Sequence, residues 1–225
     1  MRRVRCQVPG IRYQVFKKLS LILLAVGFFF FGCARKETVN IGSSGTSIVC
    51  YGDSLTFGYG AGPGEDYPTA LAKLVDVPVV NAGVDGDTSA EGLGRIDSGV
   101  LDRDPFLVII EFCGNDFLKK VPMEETLKNI SAMIDKIHAY GSMVALVDIS
   151  AGLLLKEYRQ QFRQLARRKN VLFIPAILSG IVTNPSLKSD FLHPNASGYS
   201  MIAHKIYRAI SPYLQKNKLA RLTKK

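Results

Sequence analysis

The chain has 225 residues, of which 47% are apolar, and 29 Lys and Arg against 19 Asp and Glu give it a formal net charge of +10. That excess sits at the two ends: six basic residues precede position 19 and five follow position 215, leaving eighteen basic and nineteen acidic residues between 34 and 215. A near-neutral body argues against a nucleic-acid partner, and three His and four Cys without ligand spacing argue against a metal.

In chain order, Arg2, Arg3, Arg5, Arg12, Lys17 and Lys18 come first, followed by the apolar run Leu19 to Phe31. A basic segment followed by an apolar one is the order of an export signal, and 13 residues fall short of the ~20 that a membrane-spanning helix needs. The run closes on Phe31-Gly32-Cys33, which resembles a bacterial lipobox, so residues 1–33 are expected to be a lipoprotein signal peptide with Cys33 lipidated. An uncleaved N-terminal anchor is the other reading of the same pattern.

Residues 34–45 read as a linker, and the rest as one domain over 46–215 followed by a basic tail over 216–225. Apolar, β-branched runs predict strands near 47–51, 78–81, 106–112, 142–147 and 171–174. Helical patterns fall between them, near 66–75, 88–100, 122–140, 153–169 and 195–215. Near-continuous apolar strands alternating with helices specify an α/β fold with a parallel sheet covered on both faces. No internal repeat interrupts the series. The glycines from Gly58 to Gly64 lack the Gly-Lys-Ser/Thr of a phosphate loop, and no cofactor is expected.

Chemistry concentrates where these strands end. The first runs into Tyr51-Gly52-Asp53-Ser54-Leu55, a glycine-flanked turn that presents Ser54 as a candidate nucleophile. A serine needs a base to take its proton and a third group to orient that base. His138 and His204 lie in helical patterns and read as structural. His193 lies in Ser189-Asp190-Phe191-Leu192-His193-Pro194-Asn195, where Pro194 biases it toward extended backbone and Asp190 is close enough to bond its ring. An attacked carbonyl also needs donors for its developing negative charge. Asn115, after the third strand, offers a side-chain amide; the loop Asn81 to Ser89, after the second, offers a glycine N–H, with Gly86 favoured over Gly83.

Together these residues resemble the SGNH (GDSL) hydrolases, and within them the bacterial esterase and thioesterase I type, also described as lysophospholipase L1-like or arylesterase. Four blocks match in order: Gly52-Asp53-Ser54-Leu55, Asn81 to Thr88, Gly114-Asn115-Asp116, and Asp190 to Asn195. The resemblance implies a three-layer α/β/α sandwich with a five-stranded parallel sheet in the order 2-1-3-4-5. It implies Ser54 as nucleophile, His193 as general base and then acid, Asp190 as its orienter, and an oxyanion hole from the Ser54 and Gly86 backbone N–H groups and the Asn115 side chain. One position departs from the family: Cys113 stands where Gly is usual, which bears on the width of the site beside Asn115. The expected activity is hydrolysis of small acyl esters or thioesters by an exported, lipid-anchored enzyme of the cell envelope. A de-O-acetylase of envelope glycans and a catalytically idle envelope-binding lipoprotein are the alternatives. Gly152-Leu153-Leu154-Leu155 is a candidate wall for an acyl groove. Cys50 and Cys113 are expected to be free thiols packed as small apolar groups.

Overall fold

In a computed structural model, residues 38–151 and 155–223 are described; the expected signal peptide, Cys33 and the stretch Gly152-Leu153-Leu154 lie outside them. The five strands are β1 (Ser47–Gly52), β2 (Val79–Gly83), β3 (Pro105–Glu111), β4 (Met143–Val147) and β5 (Leu172–Ile174). All pair in parallel, in the order β2-β1-β3-β4-β5 that the resemblance implies. Every residue of β1, β3 and β4 is buried, whereas the edge strands β2 and β5 are partly exposed. Aliphatic runs without alternation are what a strand covered on both faces requires, each Val or Ile buried contributing roughly 1.5–3 kcal/mol.

The helices are α1 (Ser54–Phe57), α2 (Tyr67–Ala72), α3 (Ser89–Gly94), α4 (Ile96–Gly99), α5 (Gly114–Leu118), α6 (Met123–Tyr140), α7 (Lys156–Lys169) and α8 (Ala196–Leu222). Chain direction determines their layers. The crossover from β1 to β2 moves one way across the sheet, and those into β3, β4 and β5 move the other way, so right-handed connections put α2 on one face and α3, α6 and α7 on the opposite face. α8 packs on α2, and α3 and α7 pack on α6.

Local chemistry starts and stops these helices. Asp66 accepts from Thr69 N–H at 2.8 Å to begin α2, Thr88 and Glu91 form a capping box at α3, and Asn195 accepts from Gly198 N–H at 3.1 Å to begin α8. Four helical segments differ from the sequence expectation. The single helix expected over 88–100 breaks at Arg95, whose backbone leaves the helical region as its side chain turns inward. α1 and α5 are short helices where only turns were expected. α8 runs on to Leu222 because contacts beyond its own periodicity carry it: buried Asn217 donates to the carbonyls of Ile41 and Ser43 at 2.8 and 2.9 Å, and Arg221 reaches Ser44 O at 3.0 Å. Lys216, Lys218 and Arg221 therefore stand on a helix that also holds the segment leading into β1.

Candidate active site

In an open parallel sheet a crevice forms outside the strand ends where neighbouring connections run in opposite directions, here between β1 and β3. Ser54 leaves the end of β1 and Asn115 follows the end of β3, so the two flank that crevice. Ser54 is the first residue of α1, where a backbone N–H has no intrahelical acceptor. Asp53 caps the turn by accepting from Leu55 N–H at 3.1 Å, and Gly58, in the left-handed region at φ 97°, ends it.

His193 comes from a small closed loop between β5 and α8. An isolated antiparallel bridge between Lys188 and Pro194 ties its ends, and Ser189 N–H donates to His193 O at 3.0 Å. Within it, one Asp190 oxygen accepts from the N–H groups of Leu192 and His193, both at 2.7 Å, and the other lies 2.9 Å from His193 Nδ1. Desolvation disfavours the charged carboxyl, but those hydrogen bonds and the neighbouring imidazole outweigh it and hold Asp190 down at about 2. With Nδ1 committed to a carboxylate, the proton on that side is fixed and Nε2 is left as the basic nitrogen. Nε2 lies 3.1 Å from Ser54 Oγ. The Tyr59 ring flanks the imidazole with centroids 4.5 Å apart, and its carbonyl is held by Tyr199 Oη at 2.7 Å. This is the spacing that general-base activation of a hydroxyl needs.

The expected donors for an oxyanion lie after β2 and β3, with Asn115 in the lining of the cleft that Ser54 and His193 open onto. The Asn115 amide donates one N–H to Asp87 O at 2.9 Å, which fixes its orientation and leaves the second N–H of the same group. Gly86 has φ 81° and open space around its Cα, so its identity follows from the backbone conformation rather than from crowding. Asp87 is gripped by Arg95, whose Nε lies 2.5 Å from its carboxylate while the guanidinium also donates to Ala82 O and Gly52 O at 2.9 and 3.1 Å. Arg95 thereby joins the loop after β2 to the backbone just ahead of Ser54. Buried Asp116 joins the loop after β3 to two helices, accepting from Ser89 N–H at 2.8 Å, Ser89 Oγ at 2.5 Å and Thr126 Oγ1 at 2.9 Å.

Ser54, His193, Asn115 and Gly114 open onto a cleft of about 480 Å³ whose remaining wall is mostly apolar: Leu55, Phe117, Leu118, Ile149, Leu155, Leu178, Val182 and Leu192. Leu155 belongs to the stretch singled out in sequence as a wall and does line the cleft. Cys113 does not narrow it. Its backbone is extended, its side chain is 2% exposed, and Gly114 and Asn115 form the lining beside it. Cys50 and Cys113 are both buried and unbridged. His138 lies on α6 and His204 on α8, neither in the cleft wall.

The structure thus brings the sequence candidates Ser54, Asp190, His193, Gly86 and Asn115 to one edge of the sheet. Sequence reading missed Tyr59, Asp87, Arg95 and Asp116, which carry no reacting atom and matter through partners 8 to 140 positions away; the Asp of Gly114-Asn115-Asp116 was the one visible signal.

The chain is similar to several known proteins. The GDSL-like Lipase/Acylhydrolase family matches residues 50–201. The arylesterase of Vibrio mimicus is 28% identical over 207 residues, which cover 87% of this chain and 98% of that protein. Esterase TesA of Pseudomonas aeruginosa is 24% identical over 194 residues, covering 81% of this chain and 96% of that protein. The crystal structure of the psychrotrophic esterase EstA from Pseudoalteromonas sp., inhibited by monoethylphosphonate, superposes with a TM-score of 0.69 at 27% identity, over 76% of this chain and 99% of that one. With that match spanning well over half its length, the chain belongs to the GDSL-like Lipase/Acylhydrolase family and is an esterase-type hydrolase.

Proposed function

We propose that this protein cleaves acyl esters, and thioesters of the same acyl groups, through an acyl-enzyme formed on Ser54. The observation that carries the reading is the line of hydrogen bonds from Asp190 through His193 to Ser54 Oγ at the mouth of an apolar cleft. In the first step His193 Nε2 takes the Ser54 proton as Oγ bonds to the substrate carbonyl carbon, while Asp190 steadies the imidazolium. The carbonyl electrons move onto oxygen, where the N–H groups of Ser54 and Gly86 and the Asn115 amide receive the charge. The tetrahedral species then expels the alcohol or thiol, which takes the proton back from His193. Water, deprotonated by the same imidazole, attacks the acyl-Ser54 ester and releases the acid.

The leucines and Phe117 around the cleft support an acyl tail rather than a sugar as the group bound beside Ser54, which favours this reading over glycan de-O-acetylation. The basic-then-apolar segment ending at Cys33 supports an exported enzyme held to the envelope by an N-terminal lipid. Mass spectrometry of the mature N-terminus tests that part: a modified Cys33 is expected, and a peptide starting at Met1 with unmodified Cys33 would exclude it.

The test of activity is hydrolysis of p-nitrophenyl esters from acetate to palmitate. Rates should rise beyond acetate and vanish in Ser54→Ala, a change that removes one hydroxyl from a turn. Activity retained by the purified, folded variant would end the serine-hydrolase reading, and a rate confined to acetate would favour the de-O-acetylase.

A further inference from the structure

The apolar wall of the cleft is built on a buried carboxylate that takes no part in the chemistry above. Asp148 follows β4 and is 2% exposed. One of its oxygens accepts from Ser150 N–H at 2.9 Å; the other accepts from Ser150 Oγ at 2.7 Å, Ala176 N–H at 2.9 Å and Arg159 Nε at 3.1 Å. Arg159, on α7, also donates from Nε to Ser150 Oγ at 2.7 Å and from Nη2 to Ser150 O at 3.3 Å. The backbone closes the same junction, with Asp148 N–H donating to Ile174 O at 2.8 Å and Ile177 N–H to Asp148 O at 3.0 Å. This one residue therefore fastens together the end of β4, the segment after β5 and α7. Those are the parts of the chain that bring Ile149, Leu155, Leu178 and Val182 to the cleft.

We infer that Asp148 and Arg159 are positioning residues for substrate selection: they hold the acyl-binding wall in place relative to Ser54 and so set the preference for long acyl groups. Sheet order supports the assignment. β4 lies two strands from β1 and β5 lies three, so at ~4.8 Å per strand their ends stand roughly 10 and 14 Å along the sheet edge from the nucleophile turn. Ile149 is the part of the wall nearest the reacting groups, its Cδ1 3.6 Å from where a side chain on Gly114 would begin. Leu178 and Val182 follow β5, so a two-carbon acyl group leaves them uncovered and a long one runs onto them. Because Asp148 and Ser150 are 2% and 0% exposed, the carboxylate needs every donor it has found, and each donor fixes one piece of that wall. The inference rests on the acyl-ester reading for the identity of the bound group.

Hydrolysis of p-nitrophenyl acetate and p-nitrophenyl decanoate by wild type and Arg159→Met tests it. The variant releases one tether of α7 yet leaves Asp148 its donors from Ser150 and Ala176. Its ratio of kcat/KM for decanoate to that for acetate should fall by about 10-fold, equivalent to lost packing on about two methylenes, with the fall carried by KM for decanoate. A ratio within about twofold of wild type, which general destabilisation would give, or a loss confined to kcat, overturns the inference. A binding measurement separates the wall from the chemistry. Ser54→Ala should bind parinaric acid, a fluorescent polyene fatty acid, and adding Arg159→Met should raise its Kd by about 10-fold. An unchanged Kd, or no binding to Ser54→Ala, overturns the inference even in an active esterase; a raised Kd in a protein that cleaves neither ester upholds it and ends the serine-hydrolase reading instead. Should Arg159→Met fail to fold, Ser150→Ala deletes the one oxygen that Arg159 and Asp148 share, and it should move the same ratio and the same Kd in the same direction; no movement in either overturns the inference.

Discussion

Replacing Arg95 with Met tests whether the geometry of the oxyanion loop depends on a side chain that touches no substrate. The change removes the ion pair to Asp87 and the donations to Ala82 O and Gly52 O, while a Met stem preserves much of the packing on the Tyr51 ring, over which the guanidinium sits at 4.4 Å. Breaking a buried pair costs about 3–5 kcal/mol because the partner is left charged and unpaired. Arg95 and Asp87 side chains are 23% and 13% exposed, so water recovers part of that and the lower end, about 3 kcal/mol, is expected. For a domain of this size that is a fall in Tm of roughly 6–12 °C. Because Asp87 O orients the Asn115 amide, kcat should also fall, by ~10- to 100-fold, with KM little changed. Adding Asp87→Asn removes the stranded charge and should restore part of the Tm but not the rate. Thermal unfolding by circular dichroism and ester hydrolysis measure the two effects. A Tm within about 2 °C of wild type would refute the energetic account; a lowered Tm with unchanged kcat would refute the link from Arg95 to Asn115.

Asn115→Ala should lower kcat by ~10²–10³ with a small change in KM, as expected for a donor that acts on the transition state, and a pure KM effect would assign it to substrate binding alone. Activity should fall on acidification, because an imidazole that already carries a proton on Nε2 cannot accept one from Ser54. Asp190, held down at about 2, contributes a favourable interaction that is fully present above the ordinary carboxylate value and is lost as pH falls toward 2, so thermal unfolding followed by circular dichroism should show wild type losing stability over that interval relative to Asp190→Asn. Burial pushes both Cys50 and Cys113 toward the neutral thiol, so neither should react with iodoacetamide in the native protein, and both should be labelled once it is denatured without reductant.

The parts of this molecule that were legible in its sequence are those encoded by neighbours in the chain. The β-branched runs predict all five strands to within about two residues; in the three central ones burial on both faces demands a near-continuous apolar segment. Ser54, His193 and Asp190 stand out for the same reason: Gly52 and Pro194 beside them constrain the backbone locally, and Asp190 reaches its histidine across three positions. What the sequence did not reveal is the support. Arg95 reads as one more charge on a helix surface, and nothing nearby announces that it binds Gly52 O, 43 positions earlier, or that its inward turn breaks the helix expected over 88–100. Asn217 sits in a run of Lys and Arg that reads as solvated charge, yet it extends α8 by fastening the segment ahead of β1, 174 and 176 positions away.

Glu111 shows the same limit most sharply. In sequence it is the one charged residue within the strand expected over 106–112. In the structure it is fully buried, because β3 pairs with β1 in a register that sets Glu111 beside Gly52 and so next to Asp53. Local pattern predicts which residues can do chemistry, while sheet register decides which of them become neighbours. A serine hydrolase needs its nucleophile turn held rigidly, and a glycine-flanked turn on its own is loose. Buried hydrogen bonds from Thr56 on α1 to Tyr67 on α2 and to Glu111 at the end of β3 hold that turn against two other elements, in a dry interior where such bonds are strongest and their loss most costly.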